Sequence, residues 1–194
     1  MSIELCQISK TFGEKKVLNT FSLLLPEGQT CCIMGPSGAG KTTLLRILMG
    51  LETADSGELH GIEGRRLSAV FQEDRLCENL SLRANIHLVC PHLAKTQLAQ
   101  AFEAVGLAQA AAQPVRELSG GMRRRAALVR ALLADWDFLL MDEPFQGLDA
   151  QLKQDVIAYT RRMISGKTVL MVTHDAQEAT AIGARIVQFE ECQK

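Results

Sequence analysis

Two stretches of this chain carry residue types that could do chemistry on a phosphate. Gly35, Gly40, Lys41 and Thr42, within GPSGAGKTT at residues 35–43, fit the pattern G-x-x-x-x-G-K-[ST]. A loop of this kind wraps phosphate oxygens with its backbone N–H groups. Glycine permits a close backbone approach that a side chain would block, and a helix beginning directly after the loop turns its positive end toward the anion. Lys41 is the candidate to reach the β- and γ-phosphates of a bound nucleotide, and the Thr42 hydroxyl the candidate to ligate Mg2+. Pro36, Ser37, Gly38, Ala39 and Thr43 complete the loop. The second stretch is FLLMDE at residues 138–143, an apolar run that delivers an acid pair. Asp142 is the candidate to hold Mg2+ and Glu143 to polarise an attacking water. Alone, a strand ending in Asp-Glu would be a solvated terminus; beside the glycine loop, the pair reads as the other half of a phosphate-cleaving site.

The elements that must position these residues are short, apolar and strand-like: Thr30–Met34 before Gly35, residues 138–141 before Asp142, and Thr168–Val172 before Thr173 and His174. None alternates with polar residues, the pattern of parallel strands covered on both faces. Helical patterns lie between them. Leu44, Ile47, Leu48 and Leu51 recur at i, i+3, i+4 and i+7, and an Ala-rich segment covers residues 95–105. This order predicts an α/β domain with a mostly parallel sheet, in which ligands gather at the carboxyl ends of the strands. That rule places Gly35, Asp142, Glu143 and His174 on one edge. Residues 3–8 and 17–25, parted by the turn candidate Gly13-Glu14, predict a small antiparallel sheet, and residues 185–189 a last strand.

Composition narrows the classes. A chain of 194 residues with 47% hydrophobic content suits one domain with a real core. A formal net charge of −1 supplies no basic field to gather nucleic acid. The opening MSIELCQISK lacks a secretory pattern, and no apolar run approaches the roughly 20 residues that span a bilayer, so a cytoplasmic location is expected. The six cysteines show no C-x-x-C spacing and are read as reduced thiols rather than a metal site.

Leu118-Ser119-Gly120-Gly121-Met122 offers a second anion-binding helix start, with Ser119 as N-cap and a helix over residues 123–133. Here the sequence resembles a known family: LSGGM is similar to the signature motif, normally LSGGQ, of the ATP-binding cassette (ABC) ATPases. Other landmarks of that family follow in order. Gln72, in VFQED, resembles the Q-loop glutamine that senses Mg2+ and the γ-phosphate. Gly147-Leu148-Asp149 resembles the D-loop, and His174 the switch histidine. Phe12 stands where the family carries an aromatic residue that stacks on adenine. The resemblance spans residues 3 to about 187.

The resemblance implies a P-loop NTPase core, a small N-terminal antiparallel β subdomain and an inserted helical subdomain at about residues 73–134, all within a single domain over residues 1–194 without a C-terminal regulatory domain. It implies ATP and Mg2+ as ligands, with Glu143, His174 and Gln72 in catalysis and Thr42, Gln72 and Asp142 at the metal. Ser119, Gly120 and Gly121 of one subunit, with Asp149, would close over the nucleotide of another, so the ATP state is a homodimer or a pairing with a second ATPase subunit.

FQEDRL and DEPFQGLDA resemble the importer ATPases of the nitrate, sulfonate, taurine and thiamine-precursor group. Partners so implied are membrane permease subunits, docking near residues 73–82, and an extracytoplasmic solute-binding protein, with the chain peripheral on the inner face of the membrane. The alternative is a soluble, non-transport ABC ATPase of the iron–sulfur assembly type; the DNA repair type would need coiled-coil insertions or C-x-x-C modules that this chain lacks. Met122 departs from the signature glutamine, Gln146-Gly147 from the Ser-Ala of the D-loop, and the interval from Lys41 to Gln72 is short for the family, so the sheet segment around residues 57–69 must be abbreviated. His60, His87, His92 and Trp136 match no motif and read as structural. Arg123, Arg124 and Arg125 point in different directions on a helix and read as a solvated or partner-facing surface.

Overall fold

The computed structural model describes residues 2–193. Strand β1 (Ile3–Phe12) and strand β2 (Lys15–Leu25) pair antiparallel across the turn at Gly13-Glu14. Their apolar residues would fall out of phase in a regular strand. Ile3 and Leu5 are buried two apart, but the next buried residue is Ile8. A register shift between Leu5 and Ile8, with Gln7 at φ 54°, absorbs the extra residue and keeps Ile8 on the core face. In β2, Thr20 at φ 47° does the same between the buried Leu18 and Phe21.

Next come β3 (Thr30–Met34), α1 (Lys41–Leu48), β4 (Ser56–His60) and β5 (Leu67–Val70), then α2 (Leu82–His87), α3 (Lys95–Ala104) and α4 (Gly120–Leu133). The chain continues through β6 (Phe138–Asp142), α5 (Ala150–Ile164), β7 (Thr168–Val172), α6 (Ala176–Ile182) and β8 (Arg185–Gln188). The parallel sheet runs β5-β6-β7-β3-β8, and the antiparallel sheet β2-β1-β4. The short segment after α1 therefore gives one strand to each sheet.

The inner parallel strands β6, β7 and β3 are buried on both faces, and their alternation assigns each residue to a layer. Cys32, Leu139, Met141, Val169 and Met171 pack against the helices α2 to α6. Cys31, Ile33, Phe138, Leu140, Leu170 and Val172 pack against α1 and the antiparallel sheet. Trp136 is buried and its indole N–H donates to Leu132 O at 3.2 Å, a structural role. Among the described residues, no helix is long and apolar enough to cross a membrane.

Three expectations need correction. Leu51 does not extend the apolar face of α1: the helix ends at the C-cap Met49, Gly50 turns the chain at φ 68°, and Leu51 is left exposed. Arg124 and Arg125 are not solvated but buried. The last strand stops at Gln188, and Phe189 turns inward, its N–H donating to Met34 O at 2.7 Å. The Phe189 ring lies 5.0 Å from that of Phe21, and a Cβ placed on Gly35 would meet Phe189 Cβ at 2.9 Å. This one aromatic thus joins the antiparallel sheet, the last strand and the start of the glycine loop. Phe189→Ala is expected to cost about 3–5 kcal/mol of stability, read as a lowered urea midpoint; an unchanged midpoint would refute that linking role.

Candidate active site

The glycine loop leaves β3 at Met34 and enters α1 at Lys41. Gly40 forms the joint. It sits at φ 111°, and an added Cβ would meet both Val17 Cγ1 and Val17 O at 2.8 Å, so no other residue fits there. The Lys41 ammonium folds back over the loop and donates to Gly35 O at 2.7 Å and Pro36 O at 2.8 Å. Ala39 N–H donates to Pro36 O at 3.3 Å and closes the turn. The result is a concave rim with a cation held at its centre and a helix N-terminus beneath it, an arrangement that attracts phosphate.

Strand β6 brings its acids to the same edge. The Thr42 hydroxyl donates to Asp142 Oδ2 at 2.8 Å. Burial pushes the Asp142 carboxyl above the ordinary aspartate range, with the Thr42 hydrogen bond and the charges of Arg124 and Lys41 opposing that rise. Glu143 follows at φ 47°, a left-handed conformation uncommon for a residue with a side chain. Its N–H donates to Val172 O at 2.9 Å, tying it to the end of β7. Its two carboxylate oxygens are then divided. Oε1 lies 2.9 Å from His174 Nδ1, and Oε2 lies 3.1 Å from the Thr173 hydroxyl, which also reaches Glu178 Oε2 at 2.7 Å. The carboxylate beside it raises the pKa of the exposed His174, first through that hydrogen bond and then through its charge.

A cleft of about 540 Å³ opens over these groups. Ser37, Gly38, Gly40, Lys41, Thr42, Thr43, Gln72, Asp142, Glu143 and His174 line it together, from four separate parts of the chain. Lys15, Val17 and Gln146 also line it, and no motif had singled the first two out. Both lie on β2, where Val17 packs against Gly40, a contact that only the fold reveals.

Other candidates lie apart. Phe12 is exposed at the end of β1, off the cleft, with the Lys10 ammonium 5.2 Å from its ring centroid. Ser119 caps α4, its Oγ accepting from Met122 N at 3.2 Å, and Asp149 caps α5, its Oδ1 accepting from Leu152 N at 3.1 Å. A Cβ on Gly121 would stand 3.7 Å from Gly147 O, so the two glycine turns adjoin each other. Ser119, Gly120, Gly121 and Asp149 line no part of the cleft.

The donor set suits Mg2+. Among the described residues there is no group of three or more His, Cys, Asp or Glu side chains able to hold a metal ion. A hydroxyl and one carboxylate in contact are what Mg2+ takes from a protein when phosphate oxygens and water supply the rest of its shell.

With this geometry in view, comparison with known proteins becomes specific. The family model described as ABC transporter matches residues 18–146. The sulfate/thiosulfate import ATP-binding protein CysA of Salmonella typhi is 41% identical over 98% of this chain and 58% of its own length. CysA of Escherichia coli K12 is 40% identical over the same shares. The chain thus spans little more than half the length of the curated relatives it matches. A structure described as the dimeric form of MJ0796, a bacterial ABC transporter cassette, superposes with a TM-score of 0.82 at 28% identity, covering 96% of this chain and 94% of that one. A second, of the same cassette as a post-hydrolysis dimer bound to ADP and Pi, matches at 0.82 and 27%, with the same coverage.

Lys41→Ala removes the cation at the centre of the loop. Hydrogen bonds to charged groups contribute about 1.5–3 kcal/mol, so nucleotide affinity is expected to fall about tenfold to a hundredfold in an equilibrium titration. Unchanged affinity would exclude Lys41 from the phosphate site.

Proposed function

The chain belongs to the ABC transporter ATP-binding family, and from that premise we propose that it hydrolyses ATP at a site completed by a second subunit, and so powers a membrane importer. The observation that carries this reading is the placement of Glu143. Its carboxylate is fixed beside the Thr42–Asp142 pair, between His174 and Thr173, at the edge of the cleft that the glycine loop frames.

In this reading the loop N–H groups and Lys41 hold the β- and γ-phosphates, and Phe12 stacks on the adenine. Thr42, Asp142 and Gln72 would hold Mg2+, which when bound neutralises charge on the phosphate oxygens. Glu143 accepts a proton from the water whose oxygen attacks the γ-phosphorus, as the bond from that phosphorus to the β–γ bridging oxygen breaks. ADP and phosphate result. His174 holds the Glu143 carboxylate in direction and faces the γ-phosphate.

The second subunit, a like copy or a paired ATPase, supplies Ser119, Gly120, Gly121 and Asp149. Two observations support this. These residues lie off the cleft of their own chain, with Ser119 and Gly120 exposed, and the similar cassette is described as dimeric. Import is supported by the relatives, which are named import ATP-binding proteins. Membrane permease subunits docking near residues 73–82, a solute-binding protein in the same system, and a place on the inner face of the membrane complete the proposal. Recognition of the solute falls to those partners.

Glu143→Gln keeps the side chain's size and removes its basicity. ATP should still bind, while hydrolysis falls by about 10² to 10⁴, or roughly 3–5 kcal/mol in barrier. The variant should then collect as an ATP-bound dimer, visible by size-exclusion chromatography with ATP and Mg2+ and absent with ADP. A wild-type rate would remove Glu143 from the chemistry.

A further inference from the structure

Arg124 lies on α4, one turn beyond the cap Ser119, and is only 6% exposed. Backbone carbonyls from two distant segments converge on its guanidinium. Nη1 donates to Phe71 O and, at 3.3 Å, to Gln72 O; Nη2 donates to Asp142 O at 2.6 Å and to Glu143 O at 2.5 Å. Asp74 Oδ1 lies 3.5 Å from Nη1. Nε is buried with no hydrogen-bond partner.

A buried guanidinium is costly to desolvate, and an orphaned buried N–H adds to that cost. Filling space would not require it, because an apolar side chain of similar volume packs without either penalty. The arrangement follows instead from the four carbonyls: the side chain turns both Nη groups onto them and gives up a partner for Nε. Two of those carbonyls belong to Asp142 and Glu143. The Glu143 backbone is in the left-handed region, and its carboxylate direction depends on that conformation being held. The other two carbonyls belong to the segment that brings Gln72 into the cleft.

We propose that Arg124 is a positioning residue for hydrolysis: by bridging the carbonyls of Phe71 and Gln72 to those of Asp142 and Glu143, it fixes the catalytic carboxylate relative to the helix that begins at Ser119. This rests on the reading of Glu143 as the base. It adds a physical link between the face offered to a second subunit and the chemistry in the cleft. A shift of the start of α4 moves Arg124, and Arg124 moves the peptide that carries Glu143. The planar fork of arginine is what allows one side chain to span both pairs; the compact ammonium of lysine cannot.

The test is Arg124→Lys, alone and combined with Glu143→Gln, with Arg124→Gln as a second variant and thermal unfolding as the check on folding. In the wild-type background, Arg124→Lys should lower kcat about tenfold to a hundredfold, as misplacement of a catalytic group does, while KM and ATP affinity stay within about twofold. In the Glu143→Gln background the same change should lower the single-turnover rate by no more than about twofold, since its effect runs through Glu143. Three results would overturn the proposal: a wild-type kcat in a folded variant, an equal loss in both backgrounds, or failure of both Arg124 variants to fold. A wild-type rate in Glu143→Gln alone would instead mark failure of the functional reading itself.

Discussion

A hydroxyl at the first turn of α1 and a buried carboxylate at the end of β6 meet at 2.8 Å, although they lie 100 residues apart in sequence. The site depends on that contact. Asp142 is 5% exposed, and a carboxylate so placed stays in register only if partners offset its lost hydration. Thr42 supplies the hydrogen bond, and the charges of Lys41 and Arg124 supply the field. Strand β3, which leads through the glycine loop into α1, and strand β6, which ends in Asp142, are not neighbours; β7 runs between them. The whole order β6-β7-β3 must therefore form before the phosphate loop and the acid pair can face each other, with Glu143 bonded through its N–H to the end of that middle strand.

From this contact, the remaining parts fall into two groups. Glu143, His174, Thr173 and Gln72 are held within the cleft or against it by bonds made inside one chain. Ser119, Gly120, Gly121 and Asp149 are equally well ordered, each turn capped by its own side chain, yet face elsewhere. In the proposed dimer, this ordered helix N-terminus with its exposed glycine is what a second subunit's nucleotide would meet. Arg124 joins the two groups mechanically, since it stands on the helix of the second and grips the backbone of the first.

Much of this was legible in the residues. The non-alternating runs that end at Met34, Asp142 and Val172 are strands of one parallel sheet, and the rule that ligands gather at strand ends brought Gly35, Asp142, Glu143 and His174 to one edge. What escaped has physical reasons. The bulges at Gln7 and Thr20 restore a phase that regular alternation along the sequence loses. Leu51 continues the helical period of α1, but Gly50 ends the helix first. Arg124 and Arg125 looked like a solvated run because their acceptors are carbonyls from segments distant in sequence: those of residues 71, 72, 142 and 143 for the former and those of Val105 and Gly106 for the latter. A signal was present. Arg124 shares a helix face with Leu128 and Ala131, and Arg125 with Leu128, Val129 and Leu132, all buried. Lys15 and Val17 enter the cleft only through the packing of β2 on the loop, which no local pattern encodes.

The central claim is that one chain holds half of each hydrolytic site. Its most direct test is the ATPase activity per chain, followed as protein concentration is lowered into the range where sedimentation shows a monomer. The account predicts that activity per chain falls in proportion to concentration there, since the encounter of two ATP-loaded copies limits turnover. Activity per chain that stays constant in an ATP-bound monomer would contradict it.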